Sequence, residues 1–292
     1  MDVYLVDGTY ELYRHFYALP EATDDSGQEI AATRGVINSV VSMLERGATH
    51  IGVATDHVIE SFRNDLYDGY KTGDGVPAEI MSQIAIVEES LRALGVLVWP
   101  MVEFEADDAL AAAAVKAAAL ENVNQVLICT PDKDLCQCVS GSKIVQLDRR
   151  RDNAIRNEDG VIAKFGVKPD SIPDYLALVG DTADGYPGLA GWGEKGAATI
   201  LAQYHHLEKI PKDISMWPTI RGATKLAATL FGQWNDALLY RDLATLRLDV
   251  SVFNHIDELK WQGPAEGFEA VCERLKAKNT FKRIQKLLSP KV

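Results

Sequence analysis

Nine carboxylates recur at similar places in this chain: Asp7, Asp56, Glu105, Asp107, Asp108, Asp132, Asp134, Asp181 and Asp184. They stand where apolar runs end or helical runs begin. Gathered in one pocket without counter-ions, they would repel one another and some would keep their protons. Divalent cations remove that difficulty. An all-oxygen donor set suits Mg²⁺ or Mn²⁺ rather than zinc. Two such ions roughly 3.5–4 Å apart can stabilise both the attacking and the leaving oxygen of an in-line displacement at phosphorus. The matching substrate is a phosphate ester. A plainer role competes at "EFEADDALAAA" (103–113). Acids in a first helical turn complement the helix dipole by roughly 0.3–1 kcal/mol each. An aspartate after a strand can also simply start a turn, although four such places make that reading less apt.

The elements that must position these acids are visible as alternating runs. "VYLV" (3–6), "IGVAT" (51–55), "GVLVW" (95–99), "QVLICT" (125–130) and "KIVQL" (143–147) read as short strands. Between them, "GVINSVVSMLERG" (35–47) puts Val36, Val40, Met43 and Leu44 on one helical face. "AEIMSQIAIVEESLRALG" (78–95) repeats Ile80, Ile84, Val87, Leu91 and Leu94 at helical spacing. "DALAAAAVKAAALEN" (108–122) is made of strong helix formers. The expected fold class is α/β, with a mainly parallel central sheet flanked by helices. Ligands of such sheets bind beyond the carboxyl ends of the strands. After about residue 165 the chain becomes mostly helical. "GLAGWGEKGA" (188–197) fits the turn of a helix–hairpin–helix, whose glycines let backbone approach a phosphate and whose second helix offers N–H groups to an anion. The same glycines would also suit an ordinary αα-hairpin. The expected division is 1–167 for the α/β core and 168–292 for the helical region, with the hairpin motif at about 174–204.

The bulk numbers agree with a globular chain: 292 residues, 47% apolar and 25% charged. No apolar run approaches the ~18 residues of a membrane span. The opening "MDVYLVDGTY" lacks the layout of a secretion signal, so a cytoplasmic protein is expected. Cys129, Cys136, Cys138 and Cys272 have no zinc-site spacing and read as free thiols. The net charge of −12 argues by itself against a polyanion partner. Setting the nine acids aside leaves −3, and Lys195, Lys209, Lys212, Arg221 and Lys225 can form a basic stripe.

"LVDGTYELYR", "FRNDLYDGYK", "FEADD", "TPDKDL" and "LVGDTADGYPGLAGWGEKGAATIL" together resemble the 5′-nuclease family. That family includes the 5′→3′ exonuclease domain of bacterial DNA polymerase I and the flap endonucleases. The resemblance runs from residue 3 to about 250, in order, and there is no room for a polymerase. It implies a PIN-like core with a helical arch at about 64–90. It also implies a stand-alone 5′→3′ exonuclease or flap endonuclease using two Mg²⁺ or Mn²⁺. Asp7, Asp56, Glu105, Asp107 and Asp108 would serve the first metal region. Asp132 and Asp134 would span the site, and Asp181 and Asp184 would complete the second. Arg14, Arg63 and Lys71 would hold the scissile phosphate, and Tyr70 would stack on a terminal base. Gly188, Gly191, Gly193 and Lys195 would contact DNA. Carbonyls near Gly191 and Gly193 would bind a monovalent cation such as K⁺. The implied substrates are DNA flaps, nicks and 5′ ends, with RNA primers in RNA–DNA hybrids as a further class, acted on by a monomer without a membrane partner.

Three positions depart from the family pattern. Asp74 stands where relatives carry a base beyond "YK", and Gly73 and Gly75 suggest a looser arch. Trp192 replaces a small aliphatic residue, and is expected to pack beneath the hairpin rather than face DNA. Gly185 replaces an Asn after the last aspartate, which bears on the local turn. Two other readings compete. "VDGT" is similar to the start of haloacid-dehalogenase phosphatases, but their second aspartate is replaced by Thr9. A catalytically inactive DNA-binding protein would not need the full acid set.

Overall fold

The structure is a computed structural model that describes residues 1–151 and 153–289. The chain forms two compact units, neither of them a single run of sequence. The first comprises Met1–Ile59, Gly73–Thr130 and Leu248–Val292, and the second Glu60–Thr72 and Pro131–Arg247. The chain thus returns to the first unit at Leu248, where the sequence reading carried the helical region on to residue 292.

In the first unit, β1 (Asp2–Asp7), β2 (His50–Asp56), β3 (Leu97–Met101) and β4 (Gln125–Cys129) lie in the order β3-β2-β1-β4. Every pairing among them is parallel. Covered on both faces, such strands need apolar residues at successive positions. Accordingly β2 is buried from His50 to Thr55 and β4 from Val126 to Cys129. The order reverses at β1, which opens a crevice between the carboxyl ends of β1 and β4. The Ala106–Ala118 helix lies on this sheet through Ala109, Ala111, Ala112, Ala113 and Ala117, all buried. Their small side chains allow the close approach. The expected helices occur at Ala31–Glu45 and Ala78–Ala93, with Val36, Val40, Ile80, Ile84, Val87 and Leu91 turned inward.

The segment from 248 closes against the same unit. The Trp261 N–H donates to the Thr49 carbonyl (2.8 Å) and its indole N–H to the Leu94 carbonyl (2.8 Å). Its helical stretch divides into Phe268–Arg274 and Lys278–Leu288, with a left-handed Lys276 (φ 51°) between them.

The second unit has an antiparallel pair, β5 (Ile144–Asp148) and β6 (Ala154–Arg156). Around one apolar cluster stand helices Glu158–Phe165, Ile172–Val179, Glu194–Tyr204, Ala223–Gly232 and Trp234–Ala244. The expected arch span is not helical throughout. Phe62–Leu66 is a five-residue helix, residues 67–77 form turns, and Ala78–Ala93 packs within the first unit.

Candidate metal centre

Three of the first unit's acids are engaged by its own scaffold. Asp7 ends β1 and caps the Gly8–Ala18 helix, accepting from the Tyr10 N–H (2.8 Å), while its other oxygen accepts from Thr130 Oγ1 (3.0 Å). That bond spans the crevice between β1 and β4. Asp56 ends β2 and accepts from the Ala106 N–H (2.8 Å), and its own N–H donates to Thr9 Oγ1 (2.8 Å). Asp108, fully buried, accepts from the Glu105 N–H (3.0 Å). Helix capping is therefore a real role for Asp108. Glu105 is buried and Asp107 half-buried in the same first turn.

The second unit crowds its acids. Asp134, Asp181 and Asp184 each present a carboxylate oxygen, and these atoms lie within 4.8 Å of one another. Asp134 opens a short 3₁₀ helix, Asp134–Cys138. Gln137 fixes that helix by donating to the Asp134 carbonyl (2.8 Å) and the Ala244 carbonyl (2.9 Å). Asp132 is exposed, and its carboxylate accepts from the Asp134 N–H (3.0 Å). Asp181 and Tyr186 exchange backbone hydrogen bonds (2.8 and 3.1 Å), which folds the 181–186 turn and returns Asp184 beside Asp181.

The electrostatic consequence falls on Asp134. It is 7% exposed, and its Oδ1 has no hydrogen-bond partner. Burial, reinforced by Asp132, Asp184 and Asp181, pushes its carboxyl well above the usual range. Two lysines offset part of the charge. Lys71 Nζ lies 3.0 Å from Asp184 Oδ1, and its N–H donates to the Asp184 carbonyl (2.9 Å). Lys133 forms an ion pair with Asp181. Burial would lower the Lys133 pKa, but its hydrogen bond and attraction to Asp181 hold it above the ordinary value. Under this group lies Tyr186, 1% exposed, its phenol pushed up by burial and by Asp134, Asp181 and Asp184. Sequence reasoning missed both Lys133 and Tyr186, though they lie inside "TPDKDL" and "DGYPG"; attention there went to the acids alone.

The Gly185 departure has a local cause. Gly185 has φ 88°, and a Cβ there would sit 2.2 Å from the Gly69 carbonyl oxygen. Glycine lets residues 69–71 lie against the turn, which is how Lys71 reaches Asp184. Trp192 packs as expected: it is buried, donates to the Leu226 carbonyl (3.2 Å) and lies 6.1 Å from the Trp217 ring.

Other assignments change. Arg63 is 1% exposed, with Nε on the Leu243 carbonyl (2.8 Å) and Nη2 on the Thr245 carbonyl (3.2 Å). It ties down the end of the Trp234–Ala244 helix, so it is not placed as an open phosphate ligand. Tyr70 is buried in the apolar cluster of the second unit, so its ring is not open to a base. Arg14 is partly exposed and bound to Glu11 (2.6 Å) and Ser39 (3.1 Å) in the first unit. Gly188 packs against the backbone of residues 178–180. Gly191, Gly193 and Lys195 are exposed at the start of the Glu194–Tyr204 helix, which has no side-chain cap.

A parallel sheet bearing acids at its strand ends, with a second acid group beside a helical hairpin, is the architecture of a metal-dependent nuclease. Two family models match: 5′-3′ exonuclease, N-terminal resolvase-like domain, over residues 2–166, and 5′-3′ exonuclease, C-terminal SAM fold, over residues 167–267. The chain belongs to the 5′-3′ exonuclease family. It is 35% identical to DNA polymerase I of Pseudomonas aeruginosa over 286 residues, covering 94% of this chain and 30% of the polymerase. It is 31% identical to the 5′-3′ exonuclease of Aquifex aeolicus, covering 98% of this chain and 96% of that protein. The chain thus spans less than a third of the Pseudomonas polymerase but nearly the whole Aquifex exonuclease. Among solved structures, zinc-bound T5 5′-exonuclease aligns with TM-score 0.67 at 16% identity, covering 99% of this chain and 98% of that one. The catalytic core of Rad2 with DNA aligns with TM-score 0.64 at 14% identity, covering 98% and 92%. These two likenesses establish the fold. They make the α/β, mainly parallel expectation a finding.

Proposed function

We propose that this chain is a divalent-metal-dependent, structure-specific 5′-nuclease that hydrolyses DNA phosphodiester bonds at flaps, nicks and 5′ ends. The observation that carries the reading is the group Asp134, Asp181 and Asp184, with a buried Asp134 oxygen lacking any donor. Hard oxygen donors with an unmet negative charge fit Mg²⁺ or Mn²⁺. These three residues would hold one ion, and Asp132, exposed beside Asp134, could join them. Asp7, Asp56, Glu105 and Asp107 would hold another, with Asp108 keeping the helix start in place. An ion so held lowers the pKa of water and offsets charge on the phosphate oxygens.

The protein's own groups do the rest. Lys71, paired with Asp184, and Lys133, paired with Asp181, are ammonium groups that a scissile phosphate can draw from carboxylate to phosphate. Within the first unit, Arg14 is the basic group offered to a phosphate. The open backbone at Gly191, Gly193 and Lys195 receives a phosphate of the duplex, and carbonyls near Gly191 and Gly193 suit K⁺. Water attacks phosphorus directly and no covalent enzyme adduct forms. The proposed setting is a cytoplasmic monomer acting on DNA, including RNA–DNA hybrids at primers, in replication and repair.

A second reading has one supporting observation. Lys71 and Lys133 already neutralise two of the three acids, as they would in a protein that binds DNA without cutting it. One experiment separates the two. A 5′-labelled flap, a nicked duplex and a single strand are incubated with Mg²⁺ and with EDTA. Metal-dependent release of short 5′ products supports the nuclease. Tight binding of all three substrates with no cleavage in Mg²⁺ or Mn²⁺ overturns it.

A further inference from the structure

Residues 274–289 hold six bases and no acid, in a chain whose net charge is −12. The structure divides these six into two sets. Arg274 pairs with Asp24 (3.4 Å) and Glu89 (3.3 Å), Lys276 with Asp25 (3.0 Å), and Arg283 with Glu45 (2.7 Å). Arg283 also donates to Asn38 (3.0 Å) and Ser42 (2.9 Å). These pairings fasten the Lys278–Leu288 helix to the first unit, with Ile284 buried beneath it. Lys278, Lys282 and Lys286 are the other set. All three are exposed, and among the described residues none forms a salt bridge, although Lys286 lies near enough to Glu45, the partner of Arg283, to stabilise its charge. They recur every four residues, so they share one face at about 6 Å intervals over about 12 Å. At one end Arg34, Lys276 and Lys278 line a cleft of about 360 Å³ whose wall also holds one acid, Glu273. The second family model ends before this helix, at residue 267.

We infer that this lysine face is a second binding surface for the phosphate backbone of duplex nucleic acid. A duplex presents one charge per about 1.7 Å, so about 12 Å of it carries about seven phosphates. Three unpaired ammonium groups held on a rigid helix match that target without reading sequence. An acidic protein is a poorer match. Protein interfaces centre on aromatic and apolar residues and are depleted in Lys, and Leu288 is the large apolar side chain exposed on this helix. The choice of ligand rests on the nuclease reading, but the surface itself is independent of the metal centre.

The test uses the full chain and a duplex capped by hairpin loops at both ends, which offers no 5′ terminus. Affinity is measured against salt for the wild type and for the triple variant Lys278→Gln, Lys282→Gln, Lys286→Gln. Each lost phosphate contact flattens the log–log salt slope by about 0.9, so the triple variant flattens it by about 2.7. Far-UV circular dichroism checks the fold; if the triple variant misfolds, Lys282→Gln alone carries the test with a change of about 0.9. An unchanged slope in a folded variant overturns the proposal, and retention of an acidic protein by that same unchanged surface would name the alternative partner. Cleavage of a flap at saturating substrate is unaffected in the triple variant, while KM rises. A wild type that cuts nothing would remove the nuclease reading and leave the slope result standing.

Discussion

The two acid groups look alike in sequence, since both set aspartates at or just after the ends of apolar runs. Their surroundings differ in kind. In the first unit, Asp7, Asp56 and Asp108 accept hydrogen bonds from backbone N–H groups and Thr130, so the scaffold itself steadies their charge. In the second, Asp181 also accepts from a backbone N–H, that of Ala183 (3.0 Å), but Asp134, Asp181 and Asp184 face one another, two lysines offset them, and one buried oxygen of Asp134 has no donor. Hydrogen bonds from its own elements hold three carboxylates of the first group in place. In the second, ion pairs hold Asp181 and Asp184, and Asp134 stands beside them with one oxygen lacking a donor. Having the same residue types at strand ends therefore does not mean having the same energetic state.

The largest expected effect is on turnover. Asp134→Asn or Asp184→Asn should abolish cleavage with Mg²⁺ while largely sparing DNA binding. A loss of about 4 kcal/mol of charge stabilisation corresponds to about 10³-fold in rate. Near-native turnover in both variants would end the metal assignment. Next comes ligand-linked stability. Mg²⁺ at about 100 times its dissociation constant should stabilise the wild type by about 2.7 kcal/mol. Asp134→Asn should lose most of that shift yet melt higher than the wild type in EDTA. If it melts lower, the crowding argument for the second group is wrong.

Gly185→Ala should cost at least about 1–2 kcal/mol, because a left-handed φ and the Gly69 carbonyl both oppose a Cβ. Cleavage should fall with it as Lys71 shifts from Asp184. Asp108→Ala sharpens the comparison from the other side. Removing its bond from the Glu105 N–H at the helix start should lower stability by about 1 kcal/mol with or without Mg²⁺. The last contrast is with pH in EDTA. The folded-state pKa of Asp134 is raised, so the folded protein holds its proton more tightly than the unfolded chain does. Stability from this group is then present below the ordinary carboxylate pKa. It declines as pH rises through the raised value. Asp134→Asn should flatten that decline in a thermal-melt series across pH.

Much of the architecture could be read from local pattern. Asp7 and Asp56 fall at strand ends because short apolar runs stop there, and parallel strands bring such ends to one edge. Trp192 also ends up as expected, in the core. What could not be read depended on distant partners. Arg63 looks like a surface base until the carbonyls of Leu243 and Thr245 come round to meet it. Tyr70 carries no local sign that the second unit's cluster will enclose it. The return of residues 248–289 to the first unit rests on Trp261 finding Thr49 and Leu94, a pairing no periodicity announces. Lys133 was hidden in another way, standing between two acids that drew the reading.

That return has a consequence for the nascent chain. The four parallel strands have all left the ribosome by Cys129, yet the segment that seals their unit begins only at Leu248. At about 5–20 residues per second, the unfinished sheet waits several seconds or more while Pro131–Arg247 is made. During that interval Thr49 and Leu94 offer carbonyls to water that Trp261 later claims. A protease or a chaperone meeting the chain then encounters a first unit held open by the order of synthesis.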